Sequence, residues 1–256
     1  MNEIKSTNSV SSIKQSLSVL AAFLFVYIIL FEFILPVNKI LPKPSMLLES
    51  FGSLWNDYDL LFASGITTSV IYSALILGYL FVYSLGGKLI KIFYEAPGIF
   101  SGFRIFKYFT LFFFALIFSF WFPGSVSAEF LFALLVSVIF LGIELYYSSK
   151  IQHGQYISSA ISLGLPKEKI YNDVIRKYAQ PFLFNSLLKL HYLLWLVILI
   201  YEFLSQTEGF GTIYRLLLYY RDFGGIFALG IFITLLIWLG KEIIVFFKNK
   251  IITWES

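Results

Sequence analysis

The chain has no cysteine and only two histidines, His153 and His191. No disulfide, thiol nucleophile or thiolate metal site is therefore available. The two histidines lie far apart, with no His-x-x-x-His or similar spacing, so no metal centre is expected. Charged residues make up 13% of the chain, against about a quarter in soluble domains. There is also no G-x-x-x-x-G-K-[ST] phosphate loop, so ATP binding and hydrolysis are not expected of this chain. Nothing resembles catalytic machinery, and neither a resident cofactor nor an enzymatic activity is expected.

What the chain has in abundance is apolar surface. Hydrophobic residues reach 59%, aromatics 20% and mean hydropathy +0.82, which excludes an ordinary soluble domain. Against the length of about twenty residues needed to cross a bilayer, six apolar runs stand out. They are Leu17–Leu35, Thr67–Leu85, Tyr108–Phe122, Phe130–Tyr147, Phe182–Leu204 and Ile226–Phe247. The first is too long for a signal-peptide core and lacks a small-x-small cleavage site, so it reads as a retained span. The third is short, but Arg104 and Lys107 at its start can reach the headgroups and let the helix extend. The expectation is an all-α polytopic membrane protein with six transmembrane helices, a single transmembrane domain over residues 1–256.

Charge predicts the orientation. Of the nineteen Lys and Arg residues, fourteen fall in the termini and loops of one face. Only Lys39, Lys43, Arg215 and Arg221 fall on the other, and Lys189 lies inside the fifth run. The positive-inside rule then puts both termini in the cytoplasm of a multi-pass cytoplasmic (inner) membrane protein. The net charge of +4 follows from topology, and no nucleic-acid partner is needed to explain it.

One segment is not explained by burial in lipid. The loop of about thirty residues between the fourth and fifth runs, residues 148–180, is longer than the usual connection. Within it Ser158–Pro181, SSAISLGLPKEKIYNDVIRKYAQP, is polar and amphipathic. Ile170, Tyr171, Val174, Ile175 and Tyr178 recur on one helix face, and charged residues take the others. The pattern predicts two short helices broken near Gly164-Leu165-Pro166, on the cytoplasmic side.

This segment resembles the EAA cytoplasmic loop of ABC-importer permeases, E-A-A, three residues, G, nine residues, I-x-L-P. With Gly164 as the glycine, Ala160 is the second alanine and Val174 the isoleucine. Ser158 and Ser159 stand where the family has Glu and Ala, and Arg176 and Lys177 where it has Leu and Pro. Other features resemble the nitrate, sulfonate and taurine branch of that family. They are Leu41-Pro42-Lys43-Pro44-Ser45 before the second span, Glu202 followed by Glu208-Gly209-Phe210-Gly211 after the fifth, and Trp254 near the C-terminus. The third span departs from the branch, keeping only Trp121-Phe122 and Gly124 of its usual run.

The resemblance implies a type I importer permease whose loop acts as a coupling helix. Ser158, Ser159, Ala160, Gly164, Ile170, Tyr171, Val174 and Ile175 are then the residues that meet a separate ABC ATPase, which would hold the ATP and magnesium. It further implies a second permease copy, most simply a homodimer, and a periplasmic or lipid-anchored protein that delivers a small solute. The fifth span carries the most polar edges, so Ser186, Trp195, Tyr201 and Glu202 are expected to line the route. The class alternatives are a degenerate permease or scaffold that binds an ATPase without import, and a secondary transporter.

Three further expectations concern local contacts. Glu144 and Lys189 are candidates to pair between neighbouring spans. Residues 36–64 are expected to hold a short interfacial helix with Ser45 as its N-cap. The outer loop Ser205–Phe223, with Gly209, Gly211, Gly224 and Gly225 in or just after it, suits a tight re-entrant turn.

Overall fold

The computed structural model describes residues 18–19, 21–34, 42–95, 111–150 and 153–251. Among them every regular element is a helix, and four helices are long and apolar enough to cross a membrane. The chain is a helical membrane protein. These four are α3 (Leu60–Glu95), α5 (Val126–Lys150), the long helix α7 (residues 167–205), and α9 (Phe223–Ile251). They contain the second, fourth, fifth and sixth expected runs. At 36 residues, α3 is about 54 Å long at 1.5 Å per residue, so its basic C-terminal turns project beyond a hydrocarbon core of about 30 Å.

The first and third runs give shorter apolar helices, α1 (Ala21–Ile34) and α4 (Leu111–Trp121). Their described parts are shorter than a span. The ends of the first run, the start of the third, both termini, Leu41 and Trp254 lie outside the described residues.

Two compact units are present. The first comprises the described residues up to Asp59 with Leu217–Ile231. In it α1 leads to α2 (Pro44–Asp57), which has proline in its first turn and Lys43 as its cap residue. Ser45 is therefore inside the helix and does not cap it. Its hydroxyl and backbone N–H both donate to the Glu32 carboxylate, at 2.9 and 3.2 Å. Asp222 does act as a cap, its Oδ1 accepting from Gly225 N at 2.9 Å as α9 begins.

The second unit comprises Leu60–Leu216 with the described residues from Phe232. Its core is α3, α5 and α7. Small residues let α3 and α5 close up: a Cβ on Gly78 would come within 2.6 Å of Ser137 Cβ. The Phe93 and Tyr146 rings meet edge to face farther along the same pair. These contacts make α3 and α5 parallel, whereas Thr67 meets Glu202 and Tyr79 meets Phe184, so α7 runs antiparallel to both. Gly240 lies beside His191 and Lys248 donates to Asn185 Oδ1 at 2.6 Å, so α9 runs antiparallel to α7 and in the direction of α3. One end of this bundle thus gathers Lys88, Lys91, Lys150, Arg176, Lys177, Lys248 and Lys250. The other end carries Thr67, Glu129 and Glu202.

Candidate functional site

At the basic end, α6 (His153–Ser162) and the start of α7 enclose a sharp turn. The reason lies in Gly164, whose φ of +73° is left-handed. Leu165 N donates to Ala160 O at 3.1 Å and Gly164 N to Ile161 O at 2.9 Å, the paired bonds of a Schellman C-cap with Gly164 at its left-handed position. Pro166 follows, where a helix cannot continue, and its carbonyl accepts from Lys169 N and Ile170 N to begin the next helix. A Cβ at Gly164 would meet nothing within 4 Å. Backbone angle alone, without any need for clearance, makes glycine the suitable residue here.

The second half of the island is not a separate short helix. From Lys167–Lys169, α7 passes through a wider π-type stretch, Ile170–Ile175, and continues unbroken as Arg176–Ser205. The widening is marked by Arg176 N donating to Tyr171 O. It precedes Pro181, which lies inside the helix and cannot donate to the turn before it.

This geometry changes which residues of the island are available. Ile170 and Ile175 are 4% exposed and turn into the chain's own bundle, where Asn172 nests against Gly87 of α3. The apolar face expected to meet a partner therefore packs internally at these two residues, and Tyr171 and Val174 are half-buried. Ala160 is buried too, whereas Ser158, Ser159 and Gly164 are on the surface. The apolar groups left outside are Ile161, Leu163 and Leu165, exposed by 60, 79 and 37%. All three belong to the Schellman turn.

Along α7 lies a series of buried polar contacts. Nearest the basic end, the Ser186 hydroxyl donates to Glu144 Oε2 at 2.9 Å; Glu144 takes this partner and not Lys189. Midway, Trp195 Nε1 donates to His191 Nε2 at 3.0 Å, and the Tyr72 hydroxyl lies 3.3 Å from the same nitrogen. Gly240 of α9 leaves room for the Tyr72 and His191 tips. At the far end, Glu202 accepts from Thr67 Oγ1 at 2.6 Å and from Gly211 N at 2.7 Å, and Thr67 Oγ1 accepts from Phe210 N at 3.2 Å.

The last contact explains the Glu202…Gly209-Phe210-Gly211 pattern. A Cβ on Gly209 would strike the Glu202 carboxylate, and one on Gly211 would strike the α7 backbone. The segment is largely helical and not one tight turn. Helix α8 (Phe210–Tyr220) begins there and aims its N-terminal N–H at the buried acid. Phe210 stacks on Trp195 with ring centroids 6.3 Å apart.

Ser186, Trp195, Tyr201 and Glu202 all lie on α7, inside a single chain and almost fully buried, but not on one face, since Ser186 and Trp195 are about two and a half turns apart. The outward face of α7 carries Asn185, Lys189, Tyr192 and Leu196, which follow one another at helical spacing. Glu129 and Thr67, central to the far-end cluster, were not legible as site residues. Glu129 stands one residue before the fourth apolar run, where an acid reads as a boundary charge.

No family model matches the chain, and no curated protein or solved structure is significantly similar to it.

Proposed function

We propose that the chain is the membrane-spanning subunit of an ATP-driven importer, with the α6–α7 turn as the handle by which a separate ATPase drives it. The exposure of Ile161, Leu163 and Leu165 on one left-handed turn carries this reading. Three apolar side chains held outward by a rigid cap, at the end of the bundle rich in Lys and Arg, suit insertion into a groove of a soluble partner. The positive-inside rule makes that end cytoplasmic, where an ATPase would be found. Because α7 runs without interruption from the turn through the bundle, a push on the turn moves the whole helix. Alternating access then follows as rigid movement of a two-state element.

The route is best placed between two copies, along the outward face of α7. Lys189 is exposed on this face inside the longest buried span and has no ion-pair partner among the described residues. A lysine there is costly in lipid and favours a water-filled path. Its charge suits a small anionic solute, in agreement with the sulfonate- and nitrate-type branch that the sequence resembles. The buried contacts of Ser186 with α5 and of His191 and Glu202 with α3 serve to hold α7 in register with them.

Co-purification tests this reading. The tagged chain should bring down an ATPase bearing a phosphate loop, and Leu163→Asp should release it by placing a charge in the apolar contact. Normal ATPase recovery with Leu163→Asp removes the coupling role from the turn. Recovery of ATPase with both chains but no solute uptake by the wild type would favour the scaffold alternative.

A further inference from the structure

Among the described residues, five buried side-chain atoms lack a hydrogen-bond partner. Three of them lie together at the far end of the bundle: both carboxylate oxygens of Glu129 and the hydroxyl of Tyr201. Glu129 and Tyr201 are each 0% exposed. Glu202 and Thr207 are the polar neighbours of the Glu129 carboxyl group, and the Tyr201 hydroxyl lies within electrostatic reach of it. The Tyr201 ring is fixed by stacking on Phe132, one turn beyond Glu129, at 5.3 Å between centroids.

The two acids are not in the same situation. Glu202 receives the Thr67 hydroxyl and an N–H from the start of α8, so its charge is accounted for. Glu129 has only Thr207 and Glu202 as polar neighbours, and neither of its oxygens has a partner within hydrogen-bond distance. Ser125 caps α5 by accepting from Ala128 N, but no N–H reaches the Glu129 oxygens, and no Lys or Arg among the described residues pairs with them. A charge buried in this way is retained only with a counter-charge.

A proton on Glu129 supplies a donor toward Glu202, yet leaves the other Glu129 oxygen and the Tyr201 hydroxyl without partners. A metal cation held between them would give all three a partner. The surrounding groups are all oxygen, which selects a hard ion, and one uncompensated charge selects a monovalent one. We propose that Glu129, with Tyr201, Thr207 and Glu202, forms a binding site for one small monovalent cation of the sodium class. The bound ion ties α5 to α7 at the end opposite the α6–α7 turn. The site rests on the orphaned atoms and stands apart from the importer reading, so either can fail alone.

The test uses the purified full chain in detergent, with sodium itself as the probe. Equilibrium binding of radioactive sodium should give one saturable site per chain. The melting temperature should rise with sodium and level off at the same concentrations, with choline chloride holding ionic strength constant. Glu129→Gln should abolish both the binding and the rise, and Tyr201→Phe should weaken binding several-fold. Potassium in place of sodium should give a smaller rise. Absence of saturable sodium binding by the folded wild type overturns the proposal, as does wild-type binding by Glu129→Gln. A wild-type melting temperature equal in all salts, with Glu129→Gln more stable, also overturns it and assigns Glu129 a bound proton or a bridging water.

Discussion

Glu202 Oε2 accepts a hydrogen bond from the backbone N–H of Gly211 at 2.7 Å, across a nine-residue return of the chain. The contact depends on the missing side chain at 211. A Cβ there would come within 2.6 Å of Glu202 Cβ and 2.5 Å of Phe203 N. Gly211→Ala should therefore destabilise the protein by about 1–3 kcal/mol, the usual cost of overpacking. Its melting temperature in detergent should fall, and the fall should be shared by Gly209→Ala but not by Gly52→Ala, where nothing lies within 4 Å.

Gly164 offers a contrasting case. Its surroundings are open and only its φ of +73° is special. Gly164→Ala should cost about 1–2 kcal/mol through the left-handed backbone. Gly164→Asn, which tolerates that region, should recover much of it. Equal losses with Ala and Asn in a thermal melt would point to some contact other than the backbone angle.

Because the chain lacks cysteine, single cysteines report topology without background. Ser127→Cys, at the end holding Glu129, should react with an impermeant thiol reagent in intact cells. Leu163→Cys should react only after the membrane is opened. Labelling of Leu163→Cys from outside would reverse the orientation and separate the turn from any cytoplasmic ATPase.

Lys189 separates a lipid-facing helix from one that lines a route. Lys189→Met keeps the length and removes the charge. The account predicts loss of most anion uptake with ATPase binding unchanged. A lysine facing only lipid would instead give undiminished uptake and a more stable protein, by as much as about 2.5–3.5 kcal/mol on insertion scales.

Four spans were legible from apolar length alone, because continuous runs such as Ile226–Phe247 have no other explanation. The glycine at the α6–α7 turn was legible as well, because Gly-Leu-Pro punctuates a helical pattern. Which face of the following helix points outward was not. Periodicity places Ile170, Val174 and Ile175 on or near one stripe, but an apolar stripe reads the same against a partner as against the chain's own α3. Near α3, Gly87 leaves space for Asn172, and that long-range fit is invisible in the local sequence. The partners of the fifth-span residues were hidden for a related reason: Ser186 and Trp195 look like polar edges until Glu144 and His191 are seen to satisfy them. Ser45 looked like a cap because its partner, Glu32, belongs to a different helix.

The coupling claim is tested most directly by crosslinking from the turn. Leu163→Cys, in a chain with no other cysteine, can be joined by a short bifunctional reagent to the protein it touches in native membranes. The account predicts a single major adduct with an ATPase carrying a phosphate loop, its yield changing when ATP is added. Ile170→Cys, buried inside the chain's own bundle, should give none. An adduct only with lipid or with a second copy of the chain, or no ATPase adduct at Leu163→Cys in membranes where the ATPase is present, would contradict it.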